Sequence, residues 1–194
     1  MKTINYFKFY LLLAVMGTFQ LSFAQQSLKI DPRNFVMTIS GTTNVHDFKS
    51  KVTQINGNIT FANNQPKTFT LEVPVKSIVS GEKLMDKKTY EAFNESKNPK
   101  ILFNMTDINS VQTKGDQITA NVSGNLTMAG VTKKITLVAN GKKVKSGTYE
   151  FSGTTQLKFS DFNMKPPTAM LGVMKVGNVI TLSYKVEFVG DDVI

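Results

Sequence analysis

The stretch Ile118-Thr119-Ala120-Asn121-Val122-Ser123-Gly124-Asn125-Leu126-Thr127-Met128-Ala129-Gly130-Val131-Thr132-Lys133-Lys134-Ile135-Thr136-Leu137-Val138-Ala139 decides the fold. Apolar and polar residues alternate along it. A period of two is the mark of a strand with one apolar and one wet face. Ala129-Gly130 interrupts the alternation at hairpin length, so the two halves pair antiparallel.

The same period runs outward in both directions. Upstream it takes in Phe35, Met37 and Ile39, then Ile55, Ile59 and Phe61, then Phe69, Leu71, Val73 and Val75, then Ile101, Phe103 and Met105. Downstream it takes in Tyr149, Phe151, Leu157 and Phe159, then Ile180, Leu182, Tyr184, Val186 and Phe188. Asn63-Asn64-Gln65-Pro66, Lys114-Gly115-Asp116, Lys145-Ser146-Gly147 and Val176-Gly177-Asn178 mark turns. The fold class is therefore all-β and antiparallel, with about eight strands. Many runs exceed the usual length of ~5–6 residues. Long strands in up-and-down order favour closure into a barrel over a sandwich, because closure removes edges. Gly57, Gly124 and Gly153 fall inside strand patterns and predict bends or bulges.

Gly81 to Asn98 breaks the alternation. Met85, Thr89 and Ala92/Phe93 share a helical stripe, and Pro99 ends the segment. One or two short helices over residues 81–98, crossing a barrel end as lid or plug, are expected.

The 194-residue chain has 23 Lys+Arg, 14 Asp+Glu, one His, no Cys and no Trp. Without cysteine there is no disulfide, thiolate metal site or lipidated cysteine. One histidine excludes a multi-histidine metal site within one chain. Neither Gly-x-Gly nor Gly-x-Ser-x-Gly occurs. No metal, no cofactor and no catalytic residue are expected. Residues 1–24 read as a cleaved signal peptide: Lys2 and Lys8, an apolar run from Phe9 to Val15, then Ser22-Phe23-Ala24. A single domain over 25–194, periplasmic or secreted and without a lipid anchor, follows. A secreted chain argues against nucleic acid, and the net charge of +9 suits an anionic membrane surface or solvated strand faces. The densest lysine cluster, Lys142, Lys143 and Lys145, reads as an exposed turn.

Four segments carry a family resemblance: Val45-His46-Asp47-Phe48; Val73-Pro74-Val75-Lys76-Ser77-Ile78 with Met85-Asp86-Lys87-Lys88 and Asn98-Pro99-Lys100-Ile101-Leu102-Phe103; Gly124 to Lys133; and Asp161-Phe162-Asn163-Met164-Lys165-Pro166-Pro167. In order and spacing the chain resembles the YceI-like family of secreted bacterial lipid- or polyisoprenoid-binding proteins. The resemblance implies a closed, lipocalin-like barrel with a long apolar cavity. It implies non-catalytic binding of a polyisoprenoid, an isoprenoid quinone or a fatty acyl lipid, for transport or storage in the envelope.

The candidate lipid-binding residues are Phe35, Met37, Phe69, Leu71, Phe103, Met105, Leu126, Phe151, Leu157, Leu182 and Tyr184. Phe gives a smooth wall and Met adapts its shape, and both serve a filled core equally well. His46, Lys165 and Met170 are candidates for the head group or the barrel mouth. His46 and Asp47 are adjacent on a strand and face opposite ways, which favours a hydrogen-bonded turn over a catalytic dyad. A homodimer stays open. So do a filled barrel acting through its loops and an outer-membrane barrel with its apolar face outward.

Overall fold

The computed structural model describes residues 26–63, 65–169 and 172–193. The proposed leader and Met170 lie outside them. Among the described residues eleven strands form one sheet: β1 (Ser27–Thr43), β2 (Asp47–Val52), β3 (Asn56–Ala62), β4 (Gln65–Pro74), β5 (Ile78–Val79), β6 (Lys100–Lys114), β7 (Gln117–Met128), β8 (Val131–Lys145), β9 (Thr148–Lys158), β10 (Thr168–Ala169) and β11 (Met174–Gly190). Neighbours run β1-β3-β4-β6-β7-β8-β9-β11, and β11 pairs with β1 to close the ring. The result is an antiparallel eight-stranded barrel of the lipocalin-like kind.

The eighth position is shared. β2 pairs with Thr38–Thr42 of β1, and β3 pairs with Ser27–Lys29 of the same strand. The break between them is pinned from outside. Thr53 N and Oγ1 both donate to the Ser77 carbonyl at 2.9 and 3.1 Å, and Ser77 Oγ donates to the Gln54 carbonyl at 3.1 Å. Opposite the break, Asp31 to Asn34 bulge out of β1 between Ile30 and Phe35. Asp31 holds the bulge: its carboxylate accepts from Arg33 N, Nε and Nη2 and from Asn34 Nδ2 at 3.0–3.2 Å. Arg33 thereby holds that carboxyl below its ordinary range.

The turns obey local chemistry. Ala129 and Gly130 have φ of +49° and +81°, the positive pair of a type I′ hairpin, with alanine where Asn or Gly is usual. Gly57 and Gly153 lie in unbroken register opposite Leu71 and Tyr184, so neither is a bulge. Only Gly124, opposite Met105, sits beside one.

The apolar face looks inward. Outward, one row across six strands reads Lys29, Asn58, Thr70, Asn104, Asn125 and Lys134. A polar row of this kind is unlike the outward apolar band of a membrane barrel. The two barrel ends differ. At the terminal end β1 starts at Ser27 and β11 finishes at Gly190. The other end, the helix end, carries α1 (Lys83–Phe93), the β1–β2 turn, Ala129-Gly130 and the segment after Phe159. α1 is one helix, shorter than the 81–98 segment. Asn94, at φ +49°, ends it in the left-handed region.

Candidate functional site

Inward side chains stack in layers that the register defines. Nearest the helix end come Phe48, Gly41, Ile180 and Leu157. Next come Ser50, Ile39, Leu182 and Thr155, then Met37, Tyr184 and Gly153, then Phe35, Val186, Phe151 and Gly141. Phe69, Phe103, Phe188 and Phe151 form the floor towards the terminal end. Ring centroids are 5.6 Å apart for Phe69–Phe103, 6.1 Å for Phe69–Phe188 and 5.8 Å for Phe151–Phe188. Phe69 and Phe188 come from β4 and β11, three places apart round the ring, so their contact spans the lumen. Tilted and edge-on contacts at this range are favourable aromatic geometry.

Several inward aromatic side chains, two of the floor rings among them, also lie against glycines of the wall. The ring of Phe151 covers Gly141 and that of Tyr184 covers Gly153, each directly across a strand pair. Phe48 covers Gly41, and Phe103 covers Gly124. A β-carbon at Gly41 would stand 2.8 Å from the Phe48 ring, inside van der Waals contact. Each missing side chain thus makes room for a ring that would otherwise project into the lumen. Accordingly Phe35, Ile39, Phe69, Leu71, Met105, Leu137, Phe151, Leu182 and Tyr184 point inward yet stay only half-buried.

α1 roofs the helix end. Met85, Thr89, Ala92 and Phe93 face inward, as their spacing predicts. With Ile39, Phe48, Ser50, Ile78, Phe159, Pro167, Val176 and Ile180 they line a cavity of about 40 Å³. Polar ties hold the roof: Asp86 accepts from Ser80 N and Oγ at 2.7 Å each, and Tyr90 Oη donates to the carbonyls of Lys76 and Ile78 at 3.1 Å each. Burial raises the Tyr90 hydroxyl's pKa, with Asp86 and Glu95 adding to it. A wider groove of about 450 Å³ lies outside the barrel on β1, β3, β4 and β6, and is lined largely by polar side chains such as Asn56, Asn58, Thr70 and Asn104.

All eleven sequence-assigned interior residues belong to one apolar cluster. Met37, Phe103, Leu126 and Leu157 are buried, and Phe35, Phe69, Leu71, Met105, Phe151, Leu182 and Tyr184 half-buried. His46 sits in the exposed β1–β2 turn. Its Nδ1 donates to the Asp47 carbonyl at 2.8 Å, and its own carbonyl accepts from Thr43 Oγ1 at 2.7 Å. It forms no dyad with the Asp47 carboxylate. Asn44 ties this turn to the start of β11, donating to the Val173 carbonyl just before it and accepting from Lys175 N within it. Lys165 is exposed at the same end. The lysine cluster is not wholly exposed: Lys143 folds in against Asp192 at 2.7 Å and over the Tyr149 ring at 6.0 Å. The roof cavity uses residues absent from the sequence assignment: Phe48, Ser50, Ile78, Phe93, Phe159 and Val176. The alternation of Phe48-Lys49-Ser50-Lys51-Val52 was the signal that would have found β2. Among the described residues no cluster of three or more His, Cys, Asp or Glu is placed to hold a metal.

UPF0312 proteins of Pseudomonas aeruginosa (strain LESB58) and Pseudomonas putida (strain GB-1) are similar in sequence, 32% identical over 118 residues and 34% over 122. These alignments take in 56% and 58% of this chain but only 59% and 62% of the relatives' own lengths. The fold is similar to that of Burkholderia cenocepacia BcnA, with a TM-score of 0.65 and 17% identity over 81% of this chain and 98% of that one. A polyisoprenoid binding domain from Saccharophagus degradans, implicated in plant cell wall breakdown, gives 0.71 and 12% identity over 84% and 98%. The YceI-like domain model matches residues 28–188, nearly the whole barrel, and the chain belongs to that family.

Proposed function

We propose that this chain is a non-catalytic binding protein that holds one hydrophobic molecule, an isoprenoid or fatty acyl lipid, within the barrel, for transport or storage in a bacterial envelope. The observation that carries the reading is the belt of inward apolar side chains kept half-accessible between a phenylalanine floor and a helical roof. The family and the polyisoprenoid-binding neighbour support a hydrophobic ligand.

The driving force is transfer of the ligand's apolar surface from water. Burying about 400 Å² of tail offers about 10 kcal/mol gross at ~25 cal/mol per Å². Lost freedom on association takes back several kcal/mol. At the low end of that cost about 6 kcal/mol remains, which suits affinity in the tens of micromolar without a charged contact. Leu182 and Phe188 are six residues apart on β11, about 20 Å of strand, or about 15 Å of depth at the usual barrel tilt. The roof cavity alone is too small for a chain, so access requires α1 to lift. Its few polar ties suit that movement.

A series of fatty esters of increasing length, titrated calorimetrically, tests the reading. Affinity rises by about fourfold per methylene until the tail meets the Phe69–Phe188 floor, and then levels. Affinity flat in chain length from the shortest ester, or no uptake at all, contradicts it.

A further inference from the structure

The roof cavity has twelve lining residues, and only Ser50 and Thr89 are polar among them. Thr89 is already satisfied, since its Oγ1 donates back to the Met85 carbonyl at 3.0 Å. Ser50 is 5% exposed, lies opposite Ile39 on the inner face, and its hydroxyl makes no hydrogen bond among the described residues. Nor is that oxygen sealed in, because no fully enclosed side-chain oxygen lacks a partner among the described residues. Its free face is the cavity. A hydroxyl with no protein partner and one open side is placed to donate to whatever polar atom enters the cavity.

The charge around it is equally informative. No lining residue is Lys, Arg, His, Asp or Glu. The flanking Lys49 and Lys51 are exposed on the opposite face of β2. A carboxylate or phosphate brought here would lose its hydration with no cation to meet it. A neutral carbonyl needs one donor and little room. A cavity of about 40 Å³ holds a few atoms of that kind, and the partly buried inward side chains below it offer an apolar path for the chain.

We propose that Ser50 is the polar anchor of the ligand site: its Oγ donates a hydrogen bond to an uncharged carbonyl oxygen, and the ligand class is a neutral carbonyl-bearing lipid (an ester, ketone or quinone) bound head-up beneath α1. This inference rests on the carrier reading above and specifies its head group.

The test compares four probes of one chain length: methyl tetradecanoate, tetradecane, tetradecanoate and tetradecyl phosphate. Each is titrated against the wild type, Ser50→Ala and Lys49→Ala. In the wild type the ester binds best and the two anions worst. Ser50→Ala weakens the ester three- to tenfold, roughly the range that one neutral hydrogen bond carries. It leaves tetradecane unchanged. Lys49→Ala alters neither preference, because that side chain lies exposed on the opposite face of β2. Equal weakening of ester and hydrocarbon in Ser50→Ala, an unaffected ester, or a wild-type preference for an anion overturns the Ser50 assignment while leaving the carrier reading standing. Failure of all four probes on the wild type overturns both.

Discussion

Gly41→Ala and Gly141→Ala should each fold and each lose ligand affinity by more than tenfold. At both positions the atoms nearest an added methyl belong to a neighbouring ring, Phe48 in one case and Phe151 in the other. The ring has one direction in which to give, which is towards the lumen. Phe48 would swing into the roof cavity that it lines, and Phe151 into the space above the floor. Overpacking of this kind costs about 1–3 kcal/mol, a loss of several degrees in Tm for a domain of this size. Gly124→Ala is the contrast. Its methyl would meet the Asn104 carbonyl at 2.6 Å as well as the Phe103 ring, and backbone cannot rotate aside. That variant should lose stability first. Calorimetric titration of a tight-binding ester beside thermal melts separates the effects. Wild-type affinity in folded Gly41→Ala and Gly141→Ala would mean that the rings do not define the site.

The second large effect belongs to the terminal end. Tyr149 is fully buried, donates to Asp192 Oδ1 at 2.7 Å and accepts from Val193 N at 2.9 Å. Asp192 also takes Lys143 at 2.7 Å and Ser146 Oγ at 3.0 Å. These bonds latch the chain end across the β8–β9 hairpin and press Val193 into the core. Tyr149→Phe removes the Val193 amide's acceptor and one of the donors to Asp192 Oδ1, which keeps Lys143, and should cost about 1–3 kcal/mol in urea unfolding at pH 7. Asp192→Asn should show the same latch through its pH dependence. Lys143 above all, then Tyr149 and Ser146, hold the Asp192 carboxyl far below its ordinary value of 3.8. A depressed carboxyl contributes stability that is fully present above the unfolded value and lost as pH falls through the folded one. The stability gap between wild type and Asp192→Asn should therefore hold at neutral pH and narrow as pH drops below about 4. A gap constant across that range would show that the charge takes no part.

Much of the fold is legible from period alone. Ile118 to Ala139 contains two strands and their turn, and Met85, Thr89, Ala92 and Phe93 emerge on the face their spacing assigns. The inward set is legible for the same reason: side-chain direction alternates whatever the partner strand is. What sequence hid depends on register. Gly153 reads as a bend until Tyr184 is known to lie across it, and Gly141 gives no local sign of seating Phe151. Asp31-Pro32-Arg33-Asn34 carries turn chemistry, so β1 reads as beginning at Phe35. A four-residue bulge within one strand has the same local composition as a strand end. β2 went unseen because its inward series, Phe48, Ser50 and Val52, is broken by a serine. That serine is the residue to which the head group is assigned. The Tyr149–Asp192 latch joins positions more than forty residues apart and leaves no local pattern.

The most direct test of a lipid-carrying barrel is native mass spectrometry of the chain from Gln25 to Ile194, produced in a bacterial envelope, purified without detergent, and weighed before and after organic extraction. The carrier account predicts a discrete mass lost on extraction, recovered in the organic phase as a lipid, and regained in a one-to-one ratio when that lipid is returned. An unchanged mass, together with no uptake of added ester, would show that the barrel is filled by its own side chains and would contradict the account.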